Sequence, residues 1–134
     1  MKRALIDTNI LSLFLRAHPS VVDHINQYLQ HYPYLTFSII NYYEIVSGLQ
    51  HRDAYKQLDT FRIFAKQCEI LPLTPEIAEK TATLYAELRK QGQPIDDIDL
   101  LIAGTALAHQ CVIITNNIKH FERIPGLDVI DWSK

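Results

Sequence analysis

Two cysteines, Cys68 and Cys111, are all the thiols in this chain, and they form no CxxC pair. That excludes a disulfide framework and fits a reducing cytoplasm, with each cysteine read as a small core residue. The six histidines show no metal-ligand spacing, which argues against a zinc site. No apolar run approaches membrane-spanning length. Only three apolar residues separate Met1-Lys2-Arg3 from Asp7, too few for a signal peptide. A cytoplasmic protein with no membrane association is expected. Thirteen basic against fifteen acidic residues give a net charge of -2, which excludes a surface that is basic all over. Local basic contacts to phosphate remain compatible, because clustered acids lower the total. Internal repeats, low-complexity tracts and Gly/Ser linkers are absent, so residues 1–134 read as one domain.

What is present is an alternation of short apolar runs with longer amphipathic segments. Arg3 to Asp7 reads as a buried strand, followed by a helix over Ile10 to Arg16 that Thr8 or Asn9 can cap. Ser20 can cap a second helix, in which Val21, Val22, Ile25, Tyr28 and Leu29 recur at helical spacing. Tyr34 to Phe37 is β-rich in character, and Ser38 can cap a helix to about Leu49. Arg52 to Lys66 is amphipathic, and Glu69 to Leu73 is a short strand. Thr74-Pro75-Glu76 opens a helix that runs to Lys90 and stops at Gly92. Asp96 or Asp97 opens another through Ala108. Val112 to Thr115 is a strand, a brief helix holds Phe121, and Asp128 to Ile130 closes the series. This order predicts an α/β fold with helices flanking a central, mostly parallel sheet. Ligands in such folds sit beyond the carboxyl ends of the strands, where Asp7 and Thr115 to Asn117 fall.

Three of the fifteen acids stand out. Asp7 ends a buried strand, where an ionised carboxylate needs a partner or a cation. A helix cap is the plainer reading, but Thr8 and Asn9 are available for that. Glu44 lies mid-helix among Tyr42, Tyr43, Ile45 and Val46, in a polar stripe with Asn41 and Ser47. Solvent exposure of that stripe is the competing reading. Asp99 follows Asp96 and Asp97 at a helix start, where the helix dipole favours acids on structural grounds alone. Ala103, Gly104 and Ala106 would let that helix approach the sheet closely and carry Asp99 toward Asp7. Three such carboxylates suit Mg²⁺ or Mn²⁺, hard ions that take oxygen ligands and activate water against a phosphodiester.

Four segments, "LIDTNIL", "SIINYYEIVSGL", "DLLIAGTALAH" and "ITNNIKHFERIPGLDVIDW", follow in this order. Together they closely resemble the PIN-domain ribonucleases, specifically the VapC-type toxins of bacterial toxin–antitoxin pairs. The resemblance runs from Leu5 to Trp132. It implies a PIN fold and Mg²⁺- or Mn²⁺-dependent cleavage of RNA, often transfer RNA or another structured RNA. A cognate antitoxin would silence it, and the toxin would form a homodimer. Asp7, Glu44 and Asp99 match the family's acids and would be the metal ligands. Asn117 stands where a fourth acid is common, with Thr115 and Asn9 supporting the site. Apart from the resemblance, Lys119, His120 and Arg123 follow the last site strand and could hold RNA phosphates, with a solvated basic turn as the competing reading. The competing readings are a PIN module that binds RNA or a protein without cutting, and an aspartyl phosphatase. The phosphatase would need an acid where Asn9 stands.

Overall fold

The structure, a computed structural model, describes residues 2–134. Its organisation follows from the alternation of side chains along very short strands. Ala4 and Ile6 face one side of the sheet with Val112 and Ile114, while Leu5 and Ile113 face the other. Each face needs its own cover, and the helices divide accordingly. Ile10, Ile25, Phe37, Ile45 and Phe61 complete the first core. Leu84, Leu88, Leu100, Ile102 and Phe121 complete the second.

Among the described residues the strands are β1 (Ala4–Ile6), β2 (Thr36–Ser38), β3 (Glu69–Leu71), β4 (Val112–Ile114) and β5 (Val129–Ile130). They pair in the order β3-β2-β1-β4-β5, and every pairing is parallel, not merely most of them. The helices are α1 (Thr8–Leu15), α2 (Pro19–Tyr28), α3 (Ile39–His51), α4 (Tyr55–Ala65), α5 (Pro75–Lys90), α6 (Asp97–Ala108) and α7 (Ile118–Phe121). The chain leaves central β1 toward β2 and β3, then returns past it to β4 and β5. The reversal opens a crevice at the carboxyl ends of β1 and β4. No helix among the described residues is long and apolar enough to cross a membrane.

Several boundaries differ from those expected, each for a local reason. Asp7, not Thr8 or Asn9, caps α1, its side chain accepting from Thr8 N. His18, not Ser20, caps α2, because Pro19 takes the first helical position and fixes the cap one residue earlier. The Ser20 hydroxyl instead donates to the carbonyls of Trp132 and Lys134, holding the C-terminus. The second strand is shifted to Thr36–Ser38, leaving Tyr34 exposed. Arg52 and Lys66 are C-caps, and Asp53, with φ of 53°, separates α3 from α4. Pro72, which has no amide hydrogen for the ladder, lies beyond β3, which ends at Leu71. Gly104 packs against Thr81 of α5 rather than against the sheet.

Candidate active site

The crevice is built by the turns that leave β1, β2 and β4. Asp7 follows β1 directly, and its backbone N–H continues the sheet by donating to Ile114 O at 2.8 Å. Its side chain is 5% exposed, so both oxygens need partners. Thr8 N and Asn41 Nδ2 donate to Oδ1 at 2.9 and 3.3 Å. Thr115 Oγ1 and Asn9 Nδ2 donate to Oδ2 at 2.8 and 3.4 Å. Asn9 also accepts from the Asn116 amide at 3.3 Å, tying the β1–α1 turn to the turn after β4.

Glu44 projects from the second turn of α3, half-buried, and accepts from Thr8 Oγ1 at 2.6 Å. Asn41, one turn earlier, donates to that same hydroxyl at 3.0 Å. Thr8 is thus a relay between Asn41 and Glu44, a role open to it because Asp7 does the capping. Asp99 sits in the first turn of α6 with an 18% exposed side chain. His120 Nδ1 lies 2.9 Å from Asp99 Oδ2 and 2.9 Å from Asn117 Nδ2. The Asn117 backbone donates to Thr115 Oγ1 at 3.0 Å, so Thr115 joins the Asp7 half of the site to the Asp99 half.

Electrostatics report the crowding of negative charge. Burial raises the carboxyl pKa of Asp7, against the hydrogen bonds from Thr115, Thr8 and Asn41. Burial also raises Glu44, and the charges of Asp7 and Asp96 add to it. Asp99 is pushed up to about 6, first by burial and then by Asp96 and Asp7, with the His120 bond opposing. Three acids held above their ordinary range, all by burial and Glu44 and Asp99 also by neighbouring acids, have the disposition of a cation site. The carboxylate oxygens are donors of the kind that hard ions such as Mg²⁺ or Mn²⁺ take, and His120 adds one imidazole nitrogen beside them. Ligand atoms of Asp96, Asp99 and His120 all lie within 4.8 Å of one another.

A family model for the PIN domain matches residues 4–127 of the chain. The chain belongs to the PIN-domain family. Ribonuclease VapC1 of Haemophilus influenzae (strain R2866) is 31% identical over 132 residues, covering 97% of this chain and 98% of that protein. A tRNA(fMet)-specific endonuclease VapC of Salmonella typhimurium is 30% identical, covering 98% of this chain and 99% of that protein. Among solved structures, VapBC2 of Rickettsia felis bound to a DNA fragment from its promoter superposes with a TM-score of 0.87 at 28% identity. That match covers 96% of this chain and 98% of the other.

Within this PIN domain, Asp7, Glu44 and Asp99 are linked through Thr8, Asn41, Thr115, Asn117 and His120, while Asp7 and Glu44 lie outside the close donor group of Asp96, Asp99 and His120. Three further participants escaped notice as site residues. Asn41 is fully buried and faces Asp7; it was visible only as one member of a polar stripe. Thr8 was assigned to capping. Asp96 was also read as a cap, yet its side chain makes no capping bond and lies with Asp99 and His120. Its position beside two further acids was the available signal. His120, expected at RNA phosphates, has a ring 45% exposed that also bonds to Asp99. Lys119 and Arg123 remain exposed at the rim, where Arg123 donates to the carbonyls of Lys119 and Pro94.

Proposed function

We propose that this protein is a VapC-type endoribonuclease, a single PIN domain over residues 1–134 that hydrolyses RNA phosphodiester bonds with Mg²⁺ or Mn²⁺. The observation that supports this reading is the hydrogen-bond network that links Asp7, Glu44 and Asp99 through Thr8, Asn41, Thr115, Asn117 and His120, with each carboxyl raised by burial and Glu44 and Asp99 raised further by neighbouring acids. Asp7 and Asp99 would hold the cation, and Glu44 would ligate it or orient water. Bound there, such an ion lowers the pKa of water and polarises a phosphoryl oxygen.

The chain's own residues set the geometry. Thr115 and Asn9 hold one Asp7 oxygen, Asn41 and the Thr8 amide the other, so the carboxylate cannot swing. Thr8 fixes the Glu44 rotamer in the same way. Asn117, in the position of an expected fourth acid, bonds to His120 and brings no charge. Asp96 and His120 supply donors beside Asp99 that Asn117 does not, which weighs against a module that only binds.

Transfer RNA, or another structured RNA, is the proposed substrate class, in line with the Salmonella relative's name. A cognate antitoxin is the proposed partner, in line with the Rickettsia complex. Homodimerisation would cover Ile39 and Tyr43, exposed one turn apart on α3. A cytoplasmic location accords with this role. The decisive experiment incubates the protein with total RNA and Mn²⁺ or Mg²⁺, with and without chelator, beside Asp7→Asn. We expect metal-dependent cleavage that the variant lowers at least about a hundredfold, a loss of about 3 kcal/mol in transition-state stabilisation. Cleavage that survives chelator, or that the variant retains, overturns the reading.

A further inference from the structure

Glu44 and Thr8 close one end of a groove of about 650 Å³ that runs between α1, α3 and α4. Its walls carry Arg16, Arg52 and Lys56, all exposed. Among the described residues, none of the three makes an ion pair. Glu44 is the one acid in the lining.

A structural explanation accounts for only part of this. Arg16 and Arg52 are the C-caps of α1 and α3, where a helix dipole favours cations. Lys56 is the second residue of α4, where the dipole disfavours a cation. Nor do the charges belong to one solvated helix face. Arg62 and Lys66 lie further along the α4 segment and do not line the groove, whereas the three that do come from separate segments. Arg52 reaches back over Gly48, with Nη1 3.9 Å from where a Cβ there would stand.

A nuclease of this design faces a charge problem. The acids that would hold a metal repel the polyanion that must approach them, and only the scissile phosphate meets the metal. Phosphates on either side need cations of their own. The groove begins at a site acid and offers such cations. No aromatic side chain lines it, so it has nothing on which bases could stack, and its contacts are those of a backbone track.

We propose that Arg16, Arg52 and Lys56 bind backbone phosphates flanking the scissile bond, and that the groove is the path of the RNA strand away from the acids. The proposal rests on the nuclease reading above and specifies where its substrate lies. The test measures binding of a fluorescein-labelled RNA stem-loop in chelator, from about 50 to about 300 mM salt. Wild type is compared with the triple variant Arg16→Gln/Arg52→Gln/Lys56→Gln. Each lost contact removes roughly 0.7–0.9 from the slope of log affinity against log salt, so the triple variant loses about 2–3. Its affinity at about 0.1 M salt falls at least about tenfold, and in cleavage assays KM rises more than kcat falls. If the triple variant melts below wild type, the three single substitutions are read instead, each expected to remove about 0.7–0.9. A slope and KM equal to wild type overturn the proposal and leave the groove to a protein partner. A wild type that cuts RNA while the slope survives substitution sinks this proposal alone. A wild type that binds with the predicted slope loss but never cuts sinks the nuclease reading and keeps the track.

Discussion

Asn41 shows how one side chain can serve fold and site at once. Its oxygen accepts from Ser38 N at 2.9 Å and Ser38 Oγ at 2.7 Å, completing the capping box of α3. Its nitrogen donates to Asp7 and Thr8. Asn41→Ala removes the box and both donors, so about 1–2 kcal/mol of stability should go. Asn41→Asp keeps the acceptor but sets a carboxylate against buried Asp7. The cost should reach about 3 kcal/mol, with RNA cleavage falling in parallel. Thermal melts beside cleavage rates check both; an Asn41→Asp protein that melts with wild type would remove Asn41 from this account. Spacing alone could not reveal the role, because Asn41, Glu44 and Ser47 share a stripe and only packing decides depth. Asn41 is wholly buried, Glu44 is half-buried, and Ser47 Oγ turns back to Glu44 O. The acids themselves were legible, since Asp7 directly follows an apolar strand. His120 was not, because its direction depends on a four-residue helix placed by β4.

The contact between α5 and α6 sets where Asp99 lies. A Cβ at Gly104 would meet Thr81 Oγ1 at 2.0 Å and Thr81 Cβ at 3.2 Å. Thr81 cannot simply turn aside, because its hydroxyl donates to Ile77 O at 2.8 Å within a buried interface. Gly104→Ala therefore forces the helices apart, at about 1–3 kcal/mol. Thr81→Ala in the same chain should return part of it. Gly48→Ala is the contrast: its Cβ would meet only Arg52 Nη1, at 3.9 Å, so relief of glycine's chain entropy should stabilise α3 by about 0.5–1 kcal/mol. Urea midpoints read all three, and equal midpoints for the two glycine variants would defeat the argument. Of the small residues of α6, Ala103 and Ala106 lie in the core beside the sheet residues Leu5 and Ile113 as the sequence suggests, while Gly104 faces α5. Periodicity marks a face without naming what packs on it. The alternation of strands and helices was readable because apolar runs and caps recur along the chain. The caps moved where a neighbour competed, as Pro19 did with Ser20 and Asp7 with Thr8.

Both core layers contribute to the crevice, α1 and α3 on one side and α6 on the other, so charge there bears on the stability of the entire fold. Asp99 illustrates the sign. Unfolded, it releases its proton near 3.8; folded, near 6. Between those values the native state holds more protons than the unfolded chain, so stability falls as pH rises through that window and stays low above it. Asp7 and Glu44, also raised, act in the same direction. Glu69 acts oppositely, because its bond to Arg3 lowers its pKa, but its loss begins only below its ordinary value of 4.5. From about pH 5 to about pH 7.5 the acid site should therefore dominate the difference between wild type and Asp99→Asn. In chelator the variant should be the more stable protein at about pH 7.5, with its advantage shrinking toward about pH 5. A divalent cation binds the ionised acids and reverses the penalty. At a hundred times its Kd it adds about 2.7 kcal/mol. Mn²⁺ should therefore raise the melting temperature of wild type at about pH 7.5, raise it less at about pH 5 where protons compete, and do little for Asp99→Asn. Parallel melting profiles for the two proteins in chelator, or an equal Mn²⁺ shift in both, would show that Asp99 neither carries the buried charge nor helps to hold the ion.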